Sequence, residues 1–429
     1  MVSNVPLDEY IERFYDCKAG QEWERMDRHR TEHTVTLRAL ARYLPPPPAA
    51  VLDCGGGPGR YAIELAKQGY QVTLFDLSGE ALRLARQKAD EAGVTLTGYE
   101  QGTALDLSRF AGNTFDAVLL MGPLYHLLEA DDRRQAMSEA HRVLKPGGPL
   151  FAAFISRYAT LRWAAAYEPD LLVRQPDLAM SLLEAGVLPP RDIEAPSFCA
   201  YFAHPGEVAP LMWGAGLEMV TVLGVEGLVS MIEAGVNALD GEAWQAWVEL
   251  NERVAADPSI HGGVEHLLAV GVKPRWRPVL RHIARVLNEA GVPFRAGGGV
   301  SIALHGVPVP VKDLDLITTA EGAYRFQALF PDQVVEPVAL SESEMYRSHF
   351  GRFLFHGIQV EIIGDLYFRR GNIWVPASHT NTTTMDLDGV PVRVPWLEEE
   401  TLSYIRRGRL ERAALCLSYC DAEQIARLV

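Results

Sequence analysis

No stretch of the sequence approaches the roughly 18 uninterrupted apolar residues that a membrane-spanning helix needs, so no span is expected. Positive charge is short: 40 Lys and Arg stand against 55 Asp and Glu, a net charge of −15. That balance argues against a broad basic footprint for nucleic acid. Cysteine is sparse, odd in number and scattered, at Cys17, Cys54, Cys199, Cys416 and Cys420. Such a set fits reduced thiols in a cytoplasmic protein, not a disulfide framework. Met1 to Glu9 carry neither a basic start nor an apolar run, so no secretory signal is expected. No internal repeat is visible, and nothing in the pattern marks an oligomeric state.

What is present is an ordinary globular balance. Apolar residues make up 48% and charged residues 22% of 429 positions, enough for about two or three domains. The charge is uneven. From residue 275 onward 17 Lys and Arg nearly balance 18 Asp and Glu, whereas the residues before carry 23 against 37. The change falls at Val272-Lys273-Pro274-Arg275-Trp276-Arg277-Pro278, which reads as a linker. Pro45 to Pro48 must end the helical pattern of residues 21–44. Beyond it, short apolar strands at 50–54, 71–75, 94–99, 115–121 and 149–155 alternate with helical patterns at 59–68, 78–92 and 131–144. That rhythm predicts a parallel sheet with helices on both faces. Residues 156–215 break it and read as mainly helical, before strands at 217–223 and 263–272. The remainder is α+β in character. It has helices at 278–290, 320–329 and 398–427, and strands at 293–296, 312–318, 334–338, 352–356 and 358–363.

Asp53-Cys54-Gly55-Gly56-Gly57-Pro58-Gly59 follows the first strand and opens a helix. Glycines there let a ligand approach the backbone, and the amides at a helix start face a polar group. Seventeen residues after Gly59, Asp76 ends the second strand, where an acid can accept both hydroxyls of a ribose. The third glycine of a dinucleotide fingerprint is missing, because Arg60 and Tyr61 occupy its place. The stretch from Val51 to Arg60 instead resembles motif I of the class I S-adenosylmethionine-dependent methyltransferases. Arg142-Val143-Leu144-Lys145-Pro146-Gly147-Gly148 is similar to that family's turn into the fifth strand. The resemblance covers residues 1–273, with residues 156–215 as a substrate cap. It implies that Gly55 and Gly57 lie against the methionine part of the donor and that Asp53 orients its ammonium. It further implies Asp76 on the ribose, Leu77 beside the adenine, Ala104 and Leu105 at the adenine edge, and Met121 below the sulfonium. Thr103 stands where the family often has an aspartate. Met121-Gly122-Pro123-Leu124 is not the signature of enzymes that methylate bases or amides. Tyr125 and His126 follow directly and are the candidates at the reacting centre. On the N-terminal helix, Arg25 or His29 is the candidate for a lid contact with the donor's carboxylate. His29 and His33 also share a face, but no third metal ligand is near them in the sequence.

A second constellation lies in the α+β part. Gly297-Gly298-Gly299-Val300-Ser301 precedes a helical run to His305-Gly306, and Lys312-Asp313-Leu314-Asp315 follows. Alternation on a strand puts Asp313 and Asp315 on one face, where they repel unless a cation joins them. Glu361 on a later strand supplies a third acid. This combination resembles the nucleotidyltransferase fold of the polymerase-β superfamily over residues 278–429. The resemblance implies Asp313, Asp315 and Glu361 as Mg²⁺ ligands and Gly298, Gly299 and Ser301 as the turn holding the phosphates of a nucleoside triphosphate. Val307 to Val311 lack the arginine often found just before the acids.

The expectation is therefore an α/β, Rossmann-like class I methyltransferase domain with a helical cap, followed by an α+β nucleotidyltransferase-like domain. The first would transfer a methyl group to an oxygen or nitrogen of a small molecule, and the second would transfer a nucleotide or only bind one. Two other readings fit the same residues. One is a sensor that binds S-adenosylmethionine or a nucleotide without turnover. The other, RNA modification, is disfavoured by the charge and by Met121 to Leu124.

Overall fold

In the computed structural model, which describes residues 6–191, 195–377 and 381–428, the first part of the chain winds around a nine-stranded sheet. Outside the described residues lie Met1 to Val5, part of the start read above for a secretory signal, and residues 192–194 of the segment read as a cap. The chain divides into two units, Met1–Lys273 and Pro274–Val429.

The first unit opens with three helices, α1 (Leu7–Asp16), α2 (Ala19–Arg28) and α3 (Arg30–Tyr43). The sequence pattern predicts one helix over 21–44. The structure breaks it at His29, whose φ of −112° and ψ of 56° leave the helical region. Then follow β1 (Ala50–Cys54), α4 (Arg60–Lys67), β2 (Gln71–Asp76), α5 (Gly79–Glu91), β3 (Gly98–Gln101), β4 (Ala117–Leu120), α6 (Ala130–Val143) and β5 (Pro149–Ser156). Next come α7 (Ala159–Tyr167), α8 (Leu171–Arg174), α9 (Pro176–Glu184), β6 (Val187–Leu188), β7 (Ala200–Ala203) and α10 (Pro205–Gly214). The unit closes with β8 (Glu218–Gly224), α11 (Ala234–Asn237), α12 (Gly241–Val254), α13 (Pro258–His261) and β9 (His266–Val272).

Strands β3, β2, β1, β4 and β5 pair in parallel in that order. β9 runs antiparallel to β5, and β8 antiparallel to β9. The last residues of β5, Ile155 and Ser156, also pair with β7. The strands read as continuous apolar runs because helices cover both faces. Leu52, Cys54, Val118 and Leu120 point into one core with Met137 and Ala140 of α6. Val51, Val72, Leu74 and Leu119 point into the other, with Leu40, Leu65 and Leu82 of the opposite helices. Because the strand order reverses between β1 and β4, the loops leaving those strands diverge to opposite faces. A crevice opens at their carboxyl ends.

The second unit holds α14 (Trp276–Glu289), β10 (Phe294–Gly297), α15 (Gly298–Leu304), β11 (Asp313–Thr318), α16 (Ala320–Leu329), β12 (Val334–Glu342), β13 (Tyr346–Phe355), β14 (Ile358–Arg370) and β15 (Ile373–Pro376). The sheet order is β10, β11, β14, β13, β12, with β15 on β14, and only β11 and β14 pair in parallel. A separate hairpin, β16 (Thr382–Leu387) and β17 (Val390–Pro395), turns at Asp388-Gly389. The helix expected over 398–427 is three: α17 (Leu397–Arg406), α18 (Leu410–Leu417) and α19 (Ala422–Leu428), the first break falling at Gly408 with φ +71°. No helix among the described residues is long and apolar enough to cross a membrane.

Ser78 ties the first unit together next to the crevice. Its buried Oγ accepts from Ala81 N–H as the N-cap of α5 and donates to Asp16 Oδ1 at 2.6 Å. Ser78→Ala is therefore expected to cost about 1 kcal/mol or more of stability, read as a lower midpoint in urea unfolding.

Candidate functional site

The crevice holds a cavity of about 1110 Å³. Its floor is the loop leaving β1. Gly55 and Gly57 have φ of +74° and +54°. A Cβ on Gly55 would stand 2.3 Å from Pro123 Cδ, so the loops after β1 and β4 can touch only with glycine there. At Gly57 an added Cβ would meet nothing within 4 Å, because it would point into the open cavity. Gly57 N–H donates to Asp76 Oδ2 at 2.7 Å, and Ser78 N–H donates to Asp76 Oδ1 at 2.8 Å. These bonds fix the carboxylate at the end of β2 and aim it along the cavity wall.

Asp53 lies deeper, 1% exposed, and neither carboxylate oxygen has a partner of hydrogen-bond geometry. Burial, with Asp76 close by, pushes its pKa up to about 7, the backbone N–H of Ala62 tempering the rise. Burial pushes Asp76 up to about 6 against the pull of its backbone donors. Two acids in this condition suit a ligand that brings positive charge and hydroxyls. Leu77, Ala104 and Met121 also line the cavity, as does Thr103. Leu105 does not. It packs against the core beneath α6, since the turn after β3 presents Ala104 inward.

The lid consists of α1 and α2. Asp8, Ile11, Tyr15, Ala19, Glu22, Arg25 and Met26 face the cavity. The three-to-four-residue spacing of these positions is a legible helical stripe, though the sequence reading took only Arg25 and His29 from it. Arg25 reaches the cavity, but its guanidinium is forked onto Glu32 with two contacts of 2.8 Å. Burial works against the charge on Glu32, and Arg25 and His266 together hold its carboxyl far below the ordinary range. His29 does not reach the cavity. The break between α2 and α3 turns it away, and its Nδ1–H donates to Glu233 Oε1 at 2.5 Å.

Tyr125 and His126 both line the cavity. His126 Nδ1–H donates to Cys199 carbonyl at 2.9 Å, which leaves Nε2 to accept from Tyr15 hydroxyl at 2.6 Å. Burial pulls its pKa down to about 4, so the ring is neutral near pH 7. No described residue of 156–215 lines the cavity. That segment reaches it at second hand, through Cys199 and through Phe198, whose ring lies 5.5 Å from that of His126.

In the second unit Asp313 and Asp315 lie on β11, and Asp315 is in register with Glu361 on the parallel neighbour β14. All three line a cleft of about 1780 Å³ together with Gly298 and Gly299. Gly298 has φ +57°, and a Cβ there would sit 2.1 Å from Asp315 Oδ2, so the turn is pressed against the carboxylate. Burial, then Asp313 and Glu361, pushes the pKa of Asp315 up to about 6. Arg352 and Gln359 both donate to Glu361 Oε1, at 3.2 and 2.9 Å. Ser301 is outside this cleft. It sits one turn into α15 with its side chain fully buried, so the turn is made by the two glycines alone. Lys312, quoted above only as part of the motif, joins Arg407, Arg409 and Arg412, which the sequence reading missed, in giving the cleft its positive wall. The signal was the basic run Arg406-Arg407-Gly408-Arg409 in an otherwise acidic chain.

Residues 51–148 match the family described as Methyltransferase domain. Residues 279–414 match Aminoglycoside-2''-adenylyltransferase. A ubiquinone biosynthesis O-methyltransferase of Xanthomonas axonopodis pv. citri is 30% identical over 191 residues, which is 44% of this chain and 72% of that protein. A protein of the same name from Xylella fastidiosa is 30% identical over 44% of this chain and 70% of its own length. A solved structure from Thermotoga maritima, provisionally designated a nucleotidyltransferase, is 34% identical over 34% of this chain and 93% of its own, with a TM-score of 0.31. The chain belongs to the S-adenosylmethionine-dependent methyltransferases, carrying a nucleotidyltransferase-like domain at its C-terminal end.

Proposed function

We propose that the methyl acceptor is a hydroxyl oxygen of a small, partly apolar molecule bound beneath α1 and α2, in a protein of the cytoplasm. The observation that carries the donor half of this reading is Asp53, a buried carboxylate with both oxygens unpartnered beside an open glycine loop. S-adenosylmethionine, when bound, supplies a methyl group on a sulfonium that is its own leaving group. Asp53 would meet its ammonium, Gly55 and Gly57 would admit its methionine part, and Asp76 would take the ribose hydroxyls. Leu77 and Ala104 would flank the adenine, and Met121 would lie under the sulfur. The protein's task is then to align the acceptor and exclude water. The O-methyltransferase names of the relatives support oxygen over nitrogen.

A hydroxyl acceptor needs somewhere to send its proton. Tyr15 and the neutral His126 form a chain at the cavity wall, with Tyr125 packed on the imidazole at 4.7 Å between ring centroids. A proton from the acceptor would pass to Tyr15 oxygen as Tyr15 gives its own to His126 Nε2. Asp76→Asn is expected to weaken S-adenosylmethionine binding by about 1.5–3 kcal/mol, on the order of tenfold to a hundredfold, by calorimetric titration. With the wild-type chain, methyl-labelled donor should label phenolic or other hydroxyl acceptors in a small-molecule panel. Labelling confined to amines would replace oxygen with nitrogen, and unchanged donor affinity in Asp76→Asn would remove the assignment of the ribose acid.

For the second unit we infer binding of a nucleoside triphosphate with Mg²⁺, which when bound would neutralise the acids and the phosphates. Asp313, Asp315 and Glu361 offer the oxygen ligands, Gly298 and Gly299 the close turn, and Arg407 and Arg409 charge for the phosphates. Glu361 would have to share its carboxylate with Arg352. Asp315→Asn should abolish Mg²⁺-dependent ATP binding while leaving donor binding in the first unit intact. Binding without release of pyrophosphate in the wild type would favour the sensor reading.

A further inference from the structure

The first unit gathers four carboxylates and two histidines on the far side of Arg25 from the donor cavity. They come from three distant stretches: His29 and Glu32 around the helix break, Glu226 and Glu233 in the segment after β8, and Glu265 and His266 at the start of β9. Half of this cluster closes on itself. Arg25 takes both oxygens of Glu32, and His266 satisfies both oxygens of Glu226, through Nδ1 at 2.5 Å and its backbone N–H at 3.0 Å.

His29, Glu233 and Glu265 are different. One donor atom from each lies within 4.8 Å of the other two. Glu233 is 8% exposed, and its Oε2 is buried with no partner. Among the described residues its other oxygen meets only the imidazole of His29. Glu265 faces Glu226 and Glu233 as well as the two histidines. Arg25 faces Glu32 and both histidines of the cluster as a permanent cation, set against four acids. Donors held about 2.0–2.2 Å from one ion lie roughly 3.0–3.5 Å apart, so the three side chains would draw together to reach it.

We propose that His29 Nδ1, Glu233 and Glu265 bind one divalent first-row transition ion. An imidazole nitrogen with two carboxylates suits Mn²⁺, Fe²⁺ or Zn²⁺ better than Mg²⁺, which takes oxygen donors. The ion would displace the His29 proton, engage the unpartnered Glu233 oxygen and offset the surplus of acids. It would also pin the α2–α3 break to the start of β9. Glu32 and His266, next to the triad, line a second cavity of about 380 Å³ that also touches Arg25, Met121 and Tyr125, so the ion would stiffen the wall behind the reacting centre. This site does not depend on which acceptor is methylated.

The test uses the full chain, stripped with chelator, with Asp313→Asn and Asp315→Asn introduced to remove the acids of the second unit. Titrated with Mn²⁺ and followed by electron paramagnetic resonance, this chain should hold one ion whose spin-echo signal is modulated by an imidazole nitrogen. Glu265→Gln leaves the His29–Glu233 hydrogen bond in place and should fold. It should bind Mn²⁺ about tenfold more weakly or worse. His29→Gln should remove the nitrogen modulation. Absence of a nitrogen-coupled ion in the Asp313→Asn/Asp315→Asn chain, or unchanged binding in Glu265→Gln, overturns the proposal. S-adenosylmethionine affinity measured on the same ion-free sample separates the two accounts, because donor binding without Mn²⁺ binding leaves the methyltransferase reading standing.

Discussion

A carboxylate buried without a hydrogen bond is costly, about 1–3 kcal/mol for a neutral polar group and more when charged. Asp53 is held in that state by the sheet itself. It is the fourth residue of β1, paired with Leu74 on one side and Leu119 on the other, so it cannot swing out to solvent. The loop that follows must then turn sharply, touch Pro123 and leave room above Gly57. Those demands explain the glycines better than loop flexibility does. Asp76 adds a second acid with a raised pKa at the end of the neighbouring strand. The rest of the cavity is arranged around this pair, with apolar walls from Leu77, Ala104 and Met121 and a cover from α1 and α2.

Much of this was legible in the sequence because the chemistry sits at strand ends. Asp53, Asp76 and the glycine loop follow apolar runs whose ends are marked by the change of residue type, and Asp313 and Asp315 stand out by alternation on theirs. What was hidden depended on tertiary partners. Nothing around His29 announces a helix break, and its hydrogen-bond partner Glu233 and its neighbour Glu265 come from more than two hundred residues away. Ser301 looked like part of a phosphate turn, but helix geometry carries it inward within one turn. Leu105 was lost to the same kind of error, a single residue's difference in which side chain faces the cavity. The β16–β17 hairpin was readable and missed. Asp388-Gly389 between alternating Val390, Val392, Val394 and Met385, Leu387 is a type I′ signal, with φ of 52° and 82° at the turn.

The two units solve opposite electrostatic problems. In the first, acids are buried beside a space suited to a cationic donor, and basic side chains near the cavity are already committed, Arg25 to Glu32 above all. In the second, three acids and a set of arginines share one cleft, the pattern expected where a metal ion and phosphates meet. Arg352 and Gln359 both donate to Glu361 and hold the third acid in place.

The most direct test concerns the protons on Asp53 and Asp76. A cationic donor favours their charged forms, lowers both pKa values from about 7 and about 6, and so expels protons when it binds. Calorimetric titration of S-adenosylmethionine near pH 6.5 in buffers of different ionisation enthalpy should report release of about one proton per donor bound, with affinity rising on the order of a hundredfold from pH 5.5 to pH 7.5. Proton uptake, or binding with no buffer dependence across that range, would contradict the account.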